Sequence, residues 1–133
     1  MRDTKIIESK KTLAVIDDDF IPRELYPKVF NFSELITDHS LPLIKLLNIE
    51  DSISIKKKIL DIKLQVPVTE FLIDLFLFVN NKKQDMFYQI PFGEYSFRNI
   101  MLTPGKNLIE IFYKHKSIKS TSVFLNIINE SKV

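Results

Sequence analysis

From about position 58 onward, apolar and polar residues alternate along the chain. Residues 60–66 read LDIKLQV and end at Pro67, and this period of two is that of a β-strand with one buried face. The next run, residues 71–79, has the same period. Its predicted core-facing residues are Phe71, Ile73, Leu75, Leu77 and Val79. Asn80 and Asn81 tolerate a positive φ, so they predict a hairpin turn into a return strand at residues 85–90.

The chain has two glycines, Gly93 and Gly105, and both fall between apolar runs where a turn is needed. Between them, the apolar residues of 95–97 and those of 100–102 lie in opposite phases. One extra residue near Arg98 and Asn99 would restore a common phase, which predicts a β-bulge there.

Two further strands follow. Ile109, Ile111 and Tyr113 share one phase, the sequence KHK at 114–116 predicts a polar turn, and residues 123–127 form the last strand. No helical period separates these strands. Periodicity alone therefore predicts an antiparallel sandwich or barrel.

Composition narrows the class of protein. The chain has 133 residues, 45% of them hydrophobic and 27% charged, with a net charge of +2, as expected of one globular domain with no strongly polyanionic partner. It has no cysteine, which excludes disulfides, thiol catalysis and cysteine-ligated zinc. The first residues, MRDTKIIESKK, lack the apolar core of a signal peptide, so we expect a protein made in the cytoplasm.

Three stretches resemble the second half of bacterial immunoglobulin-like domains. They are FLFVNNKK, GEYSFRNIMLTPGKNLIEIFY and KSTSVFLNI, within a match that covers roughly residues 45–130. The sequence departs from that pattern at Asn81, where glycine is frequent, and at the short KHK turn. The resemblance implies an all-β, immunoglobulin-like antiparallel β-sandwich, also described as fibronectin-like, and says little about function.

Residues 1–45 precede this predicted sandwich at 46–133. They hold short apolar pieces broken by Pro22, Pro27 and Pro42, a spacing that favours an extended N-terminal arm with at most a short helix at Ser33 to Thr37.

The side chains that point away from the predicted core include several phenylalanines. If the core-facing positions above are right, the outward-facing members are Phe76, Phe78, Phe112 and Phe124. Their strands are neighbours in an immunoglobulin-like sheet, so they predict one apolar patch larger than a monomer usually exposes. Three explanations stay open: the arm covers the patch, the patch is a protein interface, or it is a ligand-binding aromatic platform.

An acidic triplet, Asp17 to Asp19, follows the apolar stretch LAVI, as in a phosphoacceptor receiver domain. Asp61 and the stretch IMLTPGK are partial counterparts of later receiver elements. A receiver needs helices between parallel strands, and residues 64–101 are strand-like throughout. An acidic turn is the simpler interpretation, with Asp17, Asp18 and Asp19 kept as candidate metal ligands.

Catalytic chemistry finds little support in the sequence. His39 and His115 fall in predicted loops without metal-ligand spacing, and no glycine-rich phosphate loop is present. The lysines at 56–58, 82–83 and 114–119 collect at strand ends, with few aromatic residues among them. No apolar run approaches the length of a membrane span. We therefore expect no enzyme activity, no cofactor, and neither a nucleic acid nor a membrane as partner.

The sequence thus predicts a structural or interaction module that binds a protein partner or self-assembles through its outer sheet face and arm. An accessory subunit of a phage virion or tail-like particle, or of a bacterial surface structure, fits this description. A carbohydrate-binding module is one alternative, although the chain has no tryptophan. A metal-binding, receiver-like regulatory domain is the other.

Overall fold

The computed structural model describes residues 21–27, 32–50 and 52–130. Within them a short 3₁₀ turn, Arg23–Leu25, precedes the strands β1 (Ile36–Thr37), β2 (Lys45–Leu46), β3 (Ser52–Ile55), β4 (Ile59–Val66), β5 (Ile73–Val79), β6 (Lys82–Ile90), β7 (Gly93–Met101), β8 (Gly105–His115), β9 (Ile118–Lys119) and β10 (Val123–Asn129).

The strands form two sheets that face each other across one core. The smaller sheet has the order β2-β4-β7. In the larger sheet, β6 pairs with β5, β5 with β8, β8 with β10, and β10 with β3. β9 pairs with the end of β8, and β1 pairs in parallel with β9.

The pairings are those of an immunoglobulin-type sandwich. If β4 is taken as strand B, then β4 with β7, β5 with β8 and β8 with β10 are the B–E, C–F and F–G pairs. All three are antiparallel. The prediction of an all-β sandwich is therefore confirmed, and the helix-linked parallel scaffold of a receiver is not formed in the described residues.

The core lies where the alternating pattern places it. Apolar side chains from the inner faces of both sheets form one cluster, whose fully buried members include Ile62, Leu64, Val66, Ile73, Leu75, Leu77, Ile109, Ile111, Leu125 and Ile127. Burying such side chains contributes roughly 1.5–3 kcal/mol each, so the period-two pattern is itself the main source of stability.

The predicted bulge is present in β7. Leu60 lies opposite Ile100 and Ile62 opposite Phe97, so Arg98 and Asn99 together face a single residue of β4. The bulge moves the apolar residues on either side of it into one buried face, which explains the slip of phase in the sequence.

The turn at Asn80 and Asn81 also forms as predicted, with φ of 51° and 70°. The KHK turn is tighter than expected. Lys114 and His115 are still part of β8, and the positive φ of 57° falls at Lys116.

Within the described parts of the arm, residues 21–27 and 32–45, the short helix that the sequence allowed at Ser33 to Thr37 does not form. An extended course of the whole arm stays a prediction. Residues 33–34 make a turn, and Ile36–Thr37 form β1. Hydrogen bonds to β9 satisfy the backbone here, since Ile36 N donates to Ser117 O and Asp38 N to Lys119 O, each at 2.9 Å. β2 (Lys45–Leu46) crosses the predicted boundary between arm and sandwich, and it pairs with β4. The division of the chain into residues 1–45 and 46–133 stays a prediction.

Candidate interaction surface

The outer face of the larger sheet carries the four phenylalanines singled out in the sequence. Phe76 of β5 lies directly opposite Phe112 of β8. Phe78 and Phe124 lie on either side of Glu110, as its cross-strand partners on β5 and β10. All four therefore project from the same side of the sheet, away from the core between the two layers.

Three of them form a compact aromatic cluster. The ring centroids of Phe76 and Phe78 lie 5.5 and 5.7 Å from that of Phe112. Phe32 of the arm stands edge-on to Phe76 and Phe78, at centroid distances of 5.1 and 5.7 Å. Edge-to-face contacts of this kind add favourable quadrupole interactions to the burial of the rings.

The arm is the cover that this cluster needs. Side chains from the arm and from β6 pack against it, namely Tyr26, Phe32, Leu35, Met86 and Tyr88. As a result Phe76 is 0% exposed and Phe112 is 4% exposed. Of the three explanations for the patch, cover by the arm of the same chain is the one seen in this structure.

Phe124 is not part of the cluster, so the four-residue patch expected from the sequence is divided. It is 49% exposed, and Ile128, farther along the outer side of β10, is 41% exposed. Glu110 separates Phe124 from Phe78 and accepts a hydrogen bond from Ser122 Oγ at 2.6 Å. The carboxylate of Glu110 therefore lies between the covered cluster and the uncovered side chain of Phe124.

A buried carboxylate borders the aromatic cluster. Asp74 Oδ1 accepts hydrogen bonds from Gln89 N and Gln89 Nε2, both at 2.9 Å, and Lys114 Nζ lies 3.4 Å from Asp74 Oδ2. These contacts compensate the cost of removing the charge from water. Burial raises the pKa of Tyr88, and the charge of Asp74 raises it further.

Lys119 borders the other side of the cluster. Its Nζ lies 4.6 Å from the centre of the Phe112 ring and donates to Ser120 O and Ser122 Oγ. Burial lowers the pKa of Lys119, and the charge of Glu110 opposes that shift. The cation–π contact places a positive charge at the edge of an otherwise apolar surface.

Two polar contacts fix the arm at points distant from each other. Arg23 Nη1 lies 2.6 Å from Asp85 Oδ1, and the guanidinium lies over the Phe87 ring, 5.4 Å from its centroid. At the other end the hydroxyl of Tyr113 donates to Pro42 O. The arm is thus fastened to β6 and to β8.

Both histidines contact other residues of the fold. His39 Nδ1 lies 3.0 Å from Thr121 Oγ1. His115 ends β8, not a loop as predicted, where it stacks on Phe71 at 4.1 Å and its Nδ1 lies 3.1 Å from Leu72 O. Residues 21–27, 32–50 and 52–130 contain no group of three or more potential metal ligands. Asp17, Asp18 and Asp19 lie outside the described residues.

Two polar residues important for the fold were missed in the sequence. Asp74 interrupts the apolar run of β5, and a lone charge in such a run is the signal that could have revealed it. Asn107 stands in TPGKNLIEI, within the stretch that carries the family resemblance, but its partners could not be read from the pattern. No helix in the part of the chain that the structure describes is long and apolar enough to cross a membrane.

No protein-family model matches this chain, and no curated protein matches its sequence. Among solved structures, the chain is similar to the fibronectin(III)-like modules of Clostridium thermocellum CbhA, with 15% sequence identity and a TM-score of 0.48. That similarity covers 66% of this chain and 46% of the other, so the chain corresponds to about half of the chain it matches. The strand pairings described above, and not this similarity, define the protein as an all-β sandwich of the immunoglobulin type.

Proposed function

We propose that this chain is a non-catalytic structural and interaction module, and that it joins a larger assembly through the outer face of its larger sheet. The observation that carries the proposal is the division of that face. The arm covers Phe76 and Phe112, whereas Phe124 and Ile128 remain about half exposed beside the covered cluster.

The uncovered part of the face has the composition of a protein interface. Phe124 and Ile128 supply apolar area, and exposed polar residues surround them on the same side of β10 and β3, namely Ser52, Ser54 and Asn126. Apolar centres with polar rims are typical of surfaces that bind other proteins.

The buried polar side chains support a structural role. Asp74 fixes β6 through Gln89, and Ser120 Oγ accepts the backbone N–H of Tyr113 at 3.0 Å. Asn107 links two turns to β10. Each of these groups is engaged in holding strands and turns together.

Domains similar to those that residues 45–130 resemble are used as accessory modules of phage capsids and tails and in bacterial surface proteins. An accessory subunit of a phage virion, tail-like particle or bacterial surface structure is therefore the kind of assembly that we propose. A carbohydrate-binding module is less well supported. Sugar rings stack on open aromatic faces, and in this structure Phe76 and Phe112 lie beneath the arm.

Sedimentation of the full chain tests the proposed surface. We take a second copy of the chain as the partner, because most soluble assemblies contain repeated copies of one subunit. The wild type is expected to self-associate as its concentration rises, and Phe124→Ser is expected to weaken that association about tenfold or more. Melting temperatures show whether each variant remains folded.

Phe92→Ser is the matched control. Phe92 is 48% exposed, close to the 49% of Phe124, but it lies in the connection between β6 and β7. Association that is unchanged in Phe92→Ser and weakened in Phe124→Ser supports the proposed surface. A wild type that stays monomeric at every concentration, or equal effects of both substitutions, contradicts it.

A further inference from the structure

Six lysines gather at one end of the sandwich, which we call the basic end. They are Lys56, Lys57, Lys58, Lys82, Lys83 and Lys106. They come from three separate parts of the chain: the link between β3 and β4, the start of β6, and the start of β8.

Strand pairing shows that these parts lie together. Lys82 is the cross-strand partner of Val79, which also pairs with Ile109 of β8. Lys58 O accepts a hydrogen bond from Leu102 N at 2.9 Å, which brings the link before β4 to the end of β7. Since β7 leads directly into β8, all three parts meet at the same end of the two sheets.

A buried asparagine makes this end rigid. Asn107 Oδ1 accepts from Thr103 N and Thr103 Oγ1, both at 3.0 Å, and from Asn80 Nδ2 at 3.1 Å. Its Nδ2 donates to Thr103 O, Gly105 O and Ile127 O. The hairpin at Asn80, the turn before β8 and the last strand are therefore held in a fixed arrangement.

The charge at this end is concentrated. All six lysines are exposed, whereas the whole chain has a net charge of only +2. Of the described acidic residues, Glu130 lies at this end, next to Ile55 through a backbone hydrogen bond. Asp61 and Asp85 lie farther along β4 and β6, where Asp61 accepts from Asn99 N and Asp85 pairs with Arg23.

Exposed aliphatic side chains stand beside the lysines. Ile59 and Met101 are cross-strand partners at the ends of β4 and β7, and they are 45% and 59% exposed. Ile128 is the cross-strand partner of Lys106. The basic end therefore combines exposed cations with exposed apolar side chains.

We infer that the basic end docks on the surface of an anionic lipid bilayer. Lysines near such a surface gain from the negative headgroups, and neighbouring apolar side chains gain from entering the boundary with the acyl chains. Residues 56–58, 80–83 and 102–106 contain no aromatic side chain for stacking on bases, which disfavours a single-stranded nucleic acid. A protein partner is also disfavoured, because the cores of protein interfaces are depleted of charged residues.

This inference goes beyond the proposed function and departs from the expectation that no membrane is a partner. That expectation came from the lack of an apolar run long enough to span a bilayer, whereas docking on headgroups needs no span. The basic end borders the proposed interaction surface at Ile128, but its lysines, Ile59 and Met101 are not part of that surface.

Binding of the full chain to vesicles tests the inference. The vesicles contain equal parts of phosphatidylcholine and phosphatidylglycerol, and vesicles of phosphatidylcholine alone serve as the neutral reference. The wild type is expected to bind the anionic vesicles only, and less when ionic strength rises from about 0.01 M to about 0.15 M. The combined substitution Lys57→Gln, Lys82→Gln and Lys106→Gln is expected to lower the partition coefficient roughly 100-fold.

A second triple variant controls for net charge. Lys45→Gln, Lys63→Gln and Lys116→Gln remove the same charge from exposed or half-exposed lysines away from the basic end, and they should change binding only a few-fold. Ile59→Ser with Met101→Ser should also weaken binding, unlike Leu25→Ser with Leu43→Ser. The inference is overturned by absent vesicle binding, by equal loss in both triple variants, or by tighter binding to duplex DNA that the first triple variant abolishes. Self-association tested through Phe124 is measured without vesicles, so the two proposals can fail independently.

Discussion

Tyr113 shows at the scale of one residue how the arm and the sandwich depend on each other. Its side chain is fully buried, and its hydroxyl donates to Pro42 O. Burial raises the pKa of Tyr113 to about 12 from 10.0, with the charges of Asp38 and Glu70 adding to the shift. The folded protein thus holds the phenol proton more tightly than the unfolded chain. This contribution to stability is complete below pH 10 and is lost as pH rises through about 12.

We therefore expect the urea midpoint to fall steeply between pH 10 and about 12, the window set by the two pKa values. Tyr113→Phe removes the titrating group and should reduce the accompanying loss of unfolding free energy by an amount on the order of 2 kcal/mol. At pH 7 the same substitution loses the hydrogen bond to Pro42 O and should cost about 1 kcal/mol. Equal alkaline loss in wild type and Tyr113→Phe would show that other groups cause it.

The bulge in β7 is the clearest case at the scale of a single element. Asn99 has a φ of 58°, and its N–H donates to Asp61 Oδ1 at 2.8 Å. Asparagine adopts this backbone region more readily than most residues, and β-branched side chains resist it. The bulge therefore depends on the residue type at one position and on a carboxylate of the neighbouring strand.

Asn99→Val is expected to lower the free energy of unfolding by about 1 to 2 kcal/mol, because valine is strained at a positive φ. Asn99→Gly should change it by less than about 0.5 kcal/mol. Arg98→Val, at the exposed neighbouring position, is the control for adding a branched side chain to this strand. Urea unfolding followed by fluorescence measures all three. If valine is tolerated equally at both positions, the strain does not exist.

The long strands could be predicted from the sequence, and the short ones could not. β4, β5, β7, β8 and β10 contain enough residues to display a period of two, and the slip around Asn99 even located the bulge. β1, β2 and β9 have two residues each, which is too few to show any period. They exist because neighbouring strands offer backbone partners, and such tertiary pairing leaves no trace in a local pattern.

For the molecule as a whole, the arm decides which surface is presented to solvent. Phe32 is the central contact, since its ring lies within 5.1 to 6.2 Å of Phe76, Phe78 and Phe112. The alternation of apolar and polar residues predicted that these phenylalanines project outward. The size of the resulting apolar patch predicted that another part of the protein, or a partner, covers it. The sequence could not choose between the arm and a partner, because both satisfy the same burial requirement.

Phe32→Ala should lower the free energy of unfolding by about 2 to 3 kcal/mol and increase the binding of a hydrophobic dye, because it uncovers the aromatic cluster. Leu43→Ala, in the same arm but 57% exposed, should change neither quantity appreciably. Thermal unfolding and dye fluorescence on the full chain measure both. Unaltered dye binding in Phe32→Ala would mean that the arm does not shield the face in solution.

The parallel pairing of β3 with β10 has a mechanical consequence. β3 precedes β4 to β10 in the chain, β10 is the last of these strands, and four residues of β3 and β10 lie in register. Tension applied to the start of β3 and to the end of β10 pulls these parallel strands in opposite directions along their length. Their hydrogen bonds then carry the load together in shear instead of opening one after another, so the sandwich is built to resist stretching along its chain.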